Sequence, residues 1–179
     1  MTEHYTKTLL VMLMTLLSLG KADAQERNSV GTSWSMSGIG ITYERETDAD
    51  AIAHVSVQTE MWETFTGKGK YPGISASFTW NLVFAQMESR NGVPVRFYAG
   101  PGFAAGFAQD FMGPTGLFFG LKGRVGVQCA FARKVNISVS ISPILGLHVS
   151  RLDENRIIKT YRNGLIQTVL PEIGISYRF

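Results

Sequence analysis

Cysteine is nearly absent from this sequence, and several other features that mark common classes of protein are missing as well. The one cysteine, Cys129, has no partner for an internal disulfide, so a disulfide framework is excluded. The chain has no block of Lys or Arg typical of nucleic-acid binding, and its formal net charge is only +3. Phosphate-binding glycine motifs and metal-ligand spacing of His54, His148 and Cys129 are also lacking. We therefore predict no cofactor, no metal site and no nucleic-acid partner.

A long apolar run is missing too. The longest, residues 9–20, is shorter than the ~20 residues that a helix needs to cross a bilayer. It follows Lys7 and precedes Ala22-Asp23-Ala24, which has the small-x-small pattern of a signal-peptide cleavage site. We interpret residues 1–24 as a signal peptide and residues 25–179 as one exported domain.

Helical spacing is not sustained after Gln25, and apolar and polar residues instead alternate with period two. The alternating runs are 34–45, 51–62, 74–84, 95–107, 117–131, 137–149 and 165–179. The first run changes phase at Ser37-Gly38, which predicts a β-bulge. Most runs are longer than the ~5 to 6 residues of a soluble strand and match the ~9 to 11 of a tilted membrane strand.

The alternation predicts an all-β fold, a transmembrane antiparallel up-and-down β-barrel of about eight strands. An apolar outer face suits lipid, and a closed barrel leaves no unpaired backbone edge there. The alternative is a soluble β-sandwich whose charged face meets solvent. Single-chain bacterial barrels normally have an even number of strands, so an eighth is expected beside the seven runs. We prefer residues 25–33 as its source over residues 156–161.

The lengths of the connections predict the orientation of the barrel. Short connections are expected at the periplasmic end, near 46–50, 88–93 and 132–135. Longer polar loops are expected at the outer end, near 63–72, 109–115 and 151–164. The last strand then runs inward and places Phe179 at the periplasmic face.

Full charges fall on the polar faces of the runs. A barrel of about eight strands has an interior that side chains fill, and an unpaired charge there is costly. We therefore predict a salt-bridged lumen in place of an open pore. The predicted network consists of Glu44, Glu60, Arg96, Lys122, Arg124, Glu172 and Arg178.

The export signal, the strand FYAGPGFAAGF (97–107) and the terminal GISYRF resemble small outer-membrane β-barrels of the OmpA, OmpX and opacity-protein type, especially short Bacteroidetes-like porin-family proteins. The resemblance covers about residues 29–179 and implies the outer membrane of a Gram-negative bacterium, with its lipid and lipopolysaccharide as contacts. It also implies that Ile175, Tyr177 and Phe179 form a signal read by the outer-membrane assembly machinery. We predict a structural or surface-interaction role, in which the loops could contact lipopolysaccharide or an extracellular or envelope partner. An alternative is a component of a larger envelope assembly, for example one for conjugative transfer.

One element of the sequence favours an enzyme. The triplet His148-Val149-Ser150 is similar to the His-x-Ser strand motif of lipid A deacylases, which are barrels that use Ser, His and a carboxylate. Glu172 is the candidate that would orient the histidine. However, Arg151 stands where that family has Asn, and a second His-x-Ser triplet begins at His54. We predict no catalysis, with the trio His148, Ser150 and Glu172 as the alternative and a narrow pore as a third possibility.

Overall fold

The computed structural model describes residues 27–61, 72–89, 92–111, 113–132, 134–152, 155–166 and 169–179, together with Thr64 and Gly67. The predicted signal peptide lies outside these residues. The elements are β1 (Asn28–Ser35), β2 (Gly38–Asp48), β3 (Ala51–Glu60), β4 (Gly73–Glu88), β5 (Pro94–Gln109), β6 (Thr115–Ala132), β7 (Val135–Ile141), β8 (Ile144–Leu152), β9 (Asn155–Thr160), α1 (Arg162–Ile166) and β10 (Glu172–Arg178). In this described part of the chain, the helical segments are too short or too polar to cross a bilayer.

The strands form one antiparallel sheet that closes on itself. Each of β1 to β5 pairs with the strand that follows it, and β6 pairs with β8 along its first half and with β7 along its second. In turn, β8 pairs with β9, β7 pairs with β10, and β10 returns to β1. Because β7 with β8 and β9 with β10 each make up one interrupted strand, the described residues form a closed eight-stranded barrel. The predicted all-β, up-and-down antiparallel barrel is confirmed.

Proline explains the interruption between β7 and β8. Pro143 has no N–H to donate to a ladder, and strand pairing stops at Ser142-Pro143. The Pro143 carbonyl still accepts a hydrogen bond from Gly123 N at 2.9 Å. The wall of the barrel is therefore continuous across the break.

The predicted β-bulge at Ser37-Gly38 is wrong. Met36 and Ser37 form a tight turn between β1 and β2, and Trp34 faces Ile39 across the hairpin. The phase change arises because the chain reverses there. Since β1 begins at Asn28, the preferred source of the eighth strand is confirmed.

The loop predicted near 151–164 and the run predicted at 165–179 are both different in the structure. Strand β8 continues to Leu152, and β9 returns along it from Asn155 to Thr160. The chain then forms α1 and re-enters the sheet only at Glu172. Residues 156–161, the other candidate for the eighth strand, thus lie almost entirely in β9, which together with β10 makes up the last strand of the barrel.

The barrel is apolar outside and polar inside. Outward side chains such as Leu121 and Ile41 are 73% and 65% exposed. Inward side chains such as His54 and Thr79 are almost completely buried. The period-two pattern therefore reports the two faces of a barrel wall, with the polar face directed to the lumen.

The inner wall is so crowded at some glycines that it leaves no room for a methyl group. A Cβ at Gly100 would lie 1.9 Å from Trp80 O, whereas a Cβ at the neighbouring Gly123 would meet only Pro143 Cγ, at 3.6 Å. We expect Gly100→Ala to lower the free energy of unfolding by about 1 to 3 kcal/mol, because the strands must shift to accept the methyl. The matched control Gly123→Ala should change it by less than about 1 kcal/mol. Urea unfolding of both variants in detergent micelles measures the difference, and equal midpoints would contradict the crowding.

Candidate functional site: the barrel interior and its mouth

A buried guanidinium lies at the centre of the lumen. Arg124 on β6 lies 3.4 Å from Glu44 Oε1 and 3.7 Å from Glu172 Oε1, measured from Nη1 and Nη2. Its Nε donates to Ser140 Oγ at 3.3 Å, and its Cζ lies 5.2 Å from the centre of the Tyr98 ring. One cation therefore joins β2 and β10 to β6 through the lumen. These three charges are members of the network predicted from the sequence.

The Glu44 carboxylate is satisfied on both oxygens. Gln128 Nε2 donates to Oε2 at 3.0 Å, and Ser29 Oγ donates to the same oxygen at 3.4 Å. His54 Nε2 lies 4.0 Å from Oε1, on the side of the neighbouring strand β3. Since a buried carboxylate needs several donors to replace water, this arrangement fits a dry lumen.

Two further predicted charges lie toward the end of the barrel where β3 ends and β4 begins. Lys122 Nζ donates to Ser77 Oγ at 2.9 Å, and the ammonium group lines the same small space as Glu172. Glu60 accepts hydrogen bonds from Ser75 Oγ at 2.6 Å and from Gln58 Nε2 at 2.9 Å. Side-chain hydrogen bonds thus connect β3 to β4, and β4 to β6 across the lumen.

The remaining two predicted charges form a separate cluster at the opposite end. Arg96 and Arg178 both pair with Glu46 Oε1, Arg178 at 3.1 Å from Nη2. Glu46 was assigned to a turn from the sequence and so was not included among the predicted site residues. The signal was present, because Glu46 has the same alternation parity as the inward-facing Glu44.

At the end of the barrel where β9 ends, a group of apolar side chains fills part of the lumen. Tyr161 lies inside the barrel, 1% exposed, and its ring stacks on Phe118 with the ring centres 4.2 Å apart. The two rings pack with Ala104, Ala108 and Ile144 in one buried cluster. Tyr161 and the following helix α1 thus form a plug in the lumen. Sequence alternation did not reveal this plug, because Tyr161 marks the point where the chain leaves the sheet.

One carboxylate fixes the plug in place. Asp110 Oδ1 accepts hydrogen bonds from the backbone N–H groups of Arg162 and Asn163, both at 2.9 Å. Asn163 Nδ2 also donates to Gln109 O at 2.9 Å. Asp110 thus holds α1 against the end of β5.

The structure brings together two members of the alternative catalytic trio but not the third. His148 and Ser150 line the same cavity at the mouth, which is the end of the barrel beside β8, β9 and the start of α1. His148 Nε2 donates to Ala108 O at 3.0 Å. Glu172 faces Ser140 in the register, eight positions before His148, which corresponds to roughly 25 Å along the strand. Glu172 instead pairs with Arg124, and within the described part of the chain no carboxylate is hydrogen-bonded to His148.

The predicted assembly residues lie on the outer face of β10 and just beyond it. Ile175, Tyr177 and Phe179 are each between 41% and 55% exposed. Phe179 N donates to Asn28 O at 2.8 Å, and Lys134 Nζ lies 5.8 Å from the Tyr177 ring centre. All three side chains are therefore presented along one outward edge of the closing strand.

The likeness to known proteins is one of fold. The sequence matches no protein-family model and no curated protein. The N-terminal β-barrel domain of Pseudomonas aeruginosa OprF is similar over 86% of this chain and 96% of that one, with a TM-score of 0.51 and 11% sequence identity. The outer membrane protein Ail of Yersinia pestis, solved in a phospholipid bilayer nanodisc, is matched over 87% of this chain and all of that one, with a TM-score of 0.37 and 19% identity. Among the residues that the structure describes, no group of three His, Cys, Asp or Glu side chains is placed to hold a metal ion.

The central ion pairs generate a prediction about stability. Arg124→Met keeps the length of the side chain but leaves Glu44 and Glu172 without their buried cation, so we expect a loss of about 3 to 5 kcal/mol in the free energy of unfolding. Arg45→Met is the control, because Arg45 is an exposed cation on the outer face of β2, and it should cost less than about 0.5 kcal/mol. Equilibrium unfolding in urea compares the two, and an unchanged midpoint for Arg124→Met would refute the role of the pairs.

The anchor of the plug generates a second prediction. Asp110→Ala removes the acceptor of two backbone hydrogen bonds to α1, each worth about 1.5 to 3 kcal/mol for a charged acceptor. We expect trypsin to cleave after Arg162 at least about 10-fold faster, because the segment opens more often. Asp48→Ala, an exposed carboxylate at the other end of the barrel, should leave the cleavage rate unchanged. Mass spectrometry of timed digests identifies the cleavage site, and equal rates for both variants would show that Asp110 is not the anchor.

Proposed function

We propose that this protein is an integral outer-membrane β-barrel of a Gram-negative bacterium, with a lumen filled by its own side chains and a structural or surface-interaction role. The observation that carries the proposal is that the barrel has bonded charges inside and a continuous apolar surface outside, the reverse of a soluble protein. A soluble protein rarely exposes apolar patches larger than a few hundred Å². Lipid is the solvent that such a surface requires.

The distribution of aromatic side chains supports the membrane setting. Trp34 lies outward near one end of the barrel, 60% exposed, while Tyr43 and Tyr177 flank Val30 near the other. The Tyr43 hydroxyl donates to Asn28 Oδ1 at 3.0 Å, which keeps its polar tip at the rim. Amphipathic rings at both ends are typical of the two membrane interfaces.

The contents of the lumen support a plugged barrel over a pore. Lys122 and Arg124 are each at most 4% exposed, and the Tyr161 plug lies above them. An eight-stranded barrel has little interior space beyond its side chains. Ions would have to displace bonded charges to pass.

The position of Glu172 relative to His148 and Ser150 supports the non-enzymatic role. Glu172 contributes to the central ion pairs and lies far from His148 and Ser150. A hydrolytic triad needs its carboxylate within hydrogen-bond reach of the histidine. Release of fatty acid from native lipid, lost in Ser150→Ala, would contradict this part of the proposal.

Two measurements on the refolded chain test the proposal. In gels, the unboiled protein should migrate differently from the boiled protein, because a closed barrel resists the detergent until heated. In planar bilayers, the protein should show no stepwise conductance. Lys122→Ala and Arg124→Ala should each lower the unfolding midpoint while the bilayer stays silent, because the neighbouring side chains still fill the lumen.

Each outcome addresses a different part of the proposal. The absence of a heat-dependent shift, together with a water-soluble β-rich monomer, would refute the membrane barrel. Stepwise conductance of the unmodified chain, or conductance that appears in Lys122→Ala, would refute the plugged lumen and favour a narrow pore.

A further inference from the structure

The mouth of the barrel contains a cavity that the plugged lumen does not use. It has a volume of about 660 Å³, within the range of ~300 to 1,000 Å³ that is typical of small-molecule sites. Its wall is formed by strands β8 and β9, by the described residues between β5 and β6, and by the start of α1. The lining residues are Asp110, Phe111, Gly113, Pro114, His148, Ser150, Ile158, Lys159, Thr160 and Arg162.

The charges that line this cavity are unbalanced. Lys159 and Arg162 contribute two permanent cations, and neither pairs with a carboxylate in the described part of the chain. The single acid of the lining, Asp110, already accepts two backbone hydrogen bonds from α1 through Oδ1. Among the described residues of the lining, positive charge is therefore in excess.

The rest of the lining adds polar and apolar contacts. His148 and Ser150 are only 3% and 6% exposed, and His148 faces Lys159 in the β8–β9 register. Phe111, Pro114 and Ile158 supply apolar surface at the side. Two cations in one cavity beside a small apolar wall suit a ligand that has an anionic group on a compact organic body.

We propose that this mouth cavity binds a small organic anion, specifically a phosphate monoester on a sugar-sized body. A phosphate monoester carries about −1.5 to −2 charges at neutral pH, which matches two cations better than a single carboxylate does. The Arg162 fork contacts phosphate oxygens in pairs, and the Lys159 ammonium adds a point charge. The proposal requires the closed barrel and its mouth but not the membrane orientation, so it stands or falls independently of the proposed function.

The same chemistry has two possible sources. A soluble sugar phosphate would enter the cavity from the aqueous side. A lipid phosphate would reach it over the rim of the barrel, beside the exposed Ile158. The phosphate group is common to both, and competition between them distinguishes the sources.

Calorimetric titration of the refolded full chain with glucose 6-phosphate tests the site. The chain is held in micelles of a non-ionic detergent doped with phosphatidylcholine, and glucose is the uncharged control. We expect saturable binding of glucose 6-phosphate and none of glucose. Lys159→Gln and Arg162→Gln should each weaken binding about 10-fold, the value of one hydrogen bond to a charged group. Arg162→Gln retains the backbone N–H that bonds to Asp110, so the plug is preserved.

Arg45→Gln is the matched control, because it removes the same charge from the outer face of the barrel. It should bind glucose 6-phosphate like the unmodified chain, and the heat-dependent gel shift shows that every variant is folded. Absence of binding to the folded chain, or equal affinity in the double variant Lys159→Gln/Arg162→Gln, would overturn the proposal. If phosphatidic acid in the micelles abolishes binding, the site takes a lipid phosphate; if binding persists, the site takes the soluble ester.

Discussion

Closure of the sheet between β1 and β10 is the constraint on which the rest of the structure depends. An outer wall as apolar as this one requires every backbone N–H and C=O to be bonded within the sheet. The register from Ser29–Arg178 to Trp34–Ile173 supplies the last of those bonds. Once the ring is closed, every second side chain points into a lumen only wide enough for side chains. The polar residues there must then bond to one another.

The central ion pairs follow from that confinement. Arg124 and Glu44 are 80 positions apart in sequence, yet their charges meet because β6 and β2 lie on opposite sides of a narrow ring. Replacement of buried ion pairs by apolar groups is often neutral for stability, so their value here is one of specificity. If β6 slipped by one residue, Arg124 would face outward and Leu121 inward. The ion pairs therefore fix the strand register, which contacts among the apolar outer side chains specify only weakly.

Much of the fold and part of the site were predictable from the sequence, for a definite physical reason. Period-two alternation records which face of a strand each residue occupies, so the inward direction of Glu44, Lys122 and Arg124 was visible without the structure. Alternation does not record which strands are neighbours across the lumen. For that reason the separation of the Glu46 cluster from the central pairs was not predicted. Alternation also does not record the direction of the chain. A chain reversal at Ser37 was therefore interpreted as an inserted residue.

This barrel differs most from a plain eight-stranded wall at its mouth, because the chain leaves the sheet after β9. Tyr161 N donates to Gly146 O as the last rung of the ladder, and the chain then turns inward. Its ring stacks on Phe118 inside the barrel. The same turn lifts the N–H groups of α1 toward Asp110 and leaves Lys159 and Arg162 lining open space. A strand running straight from β9 into β10 would have produced neither a plug nor a cavity, so one interruption accounts for both.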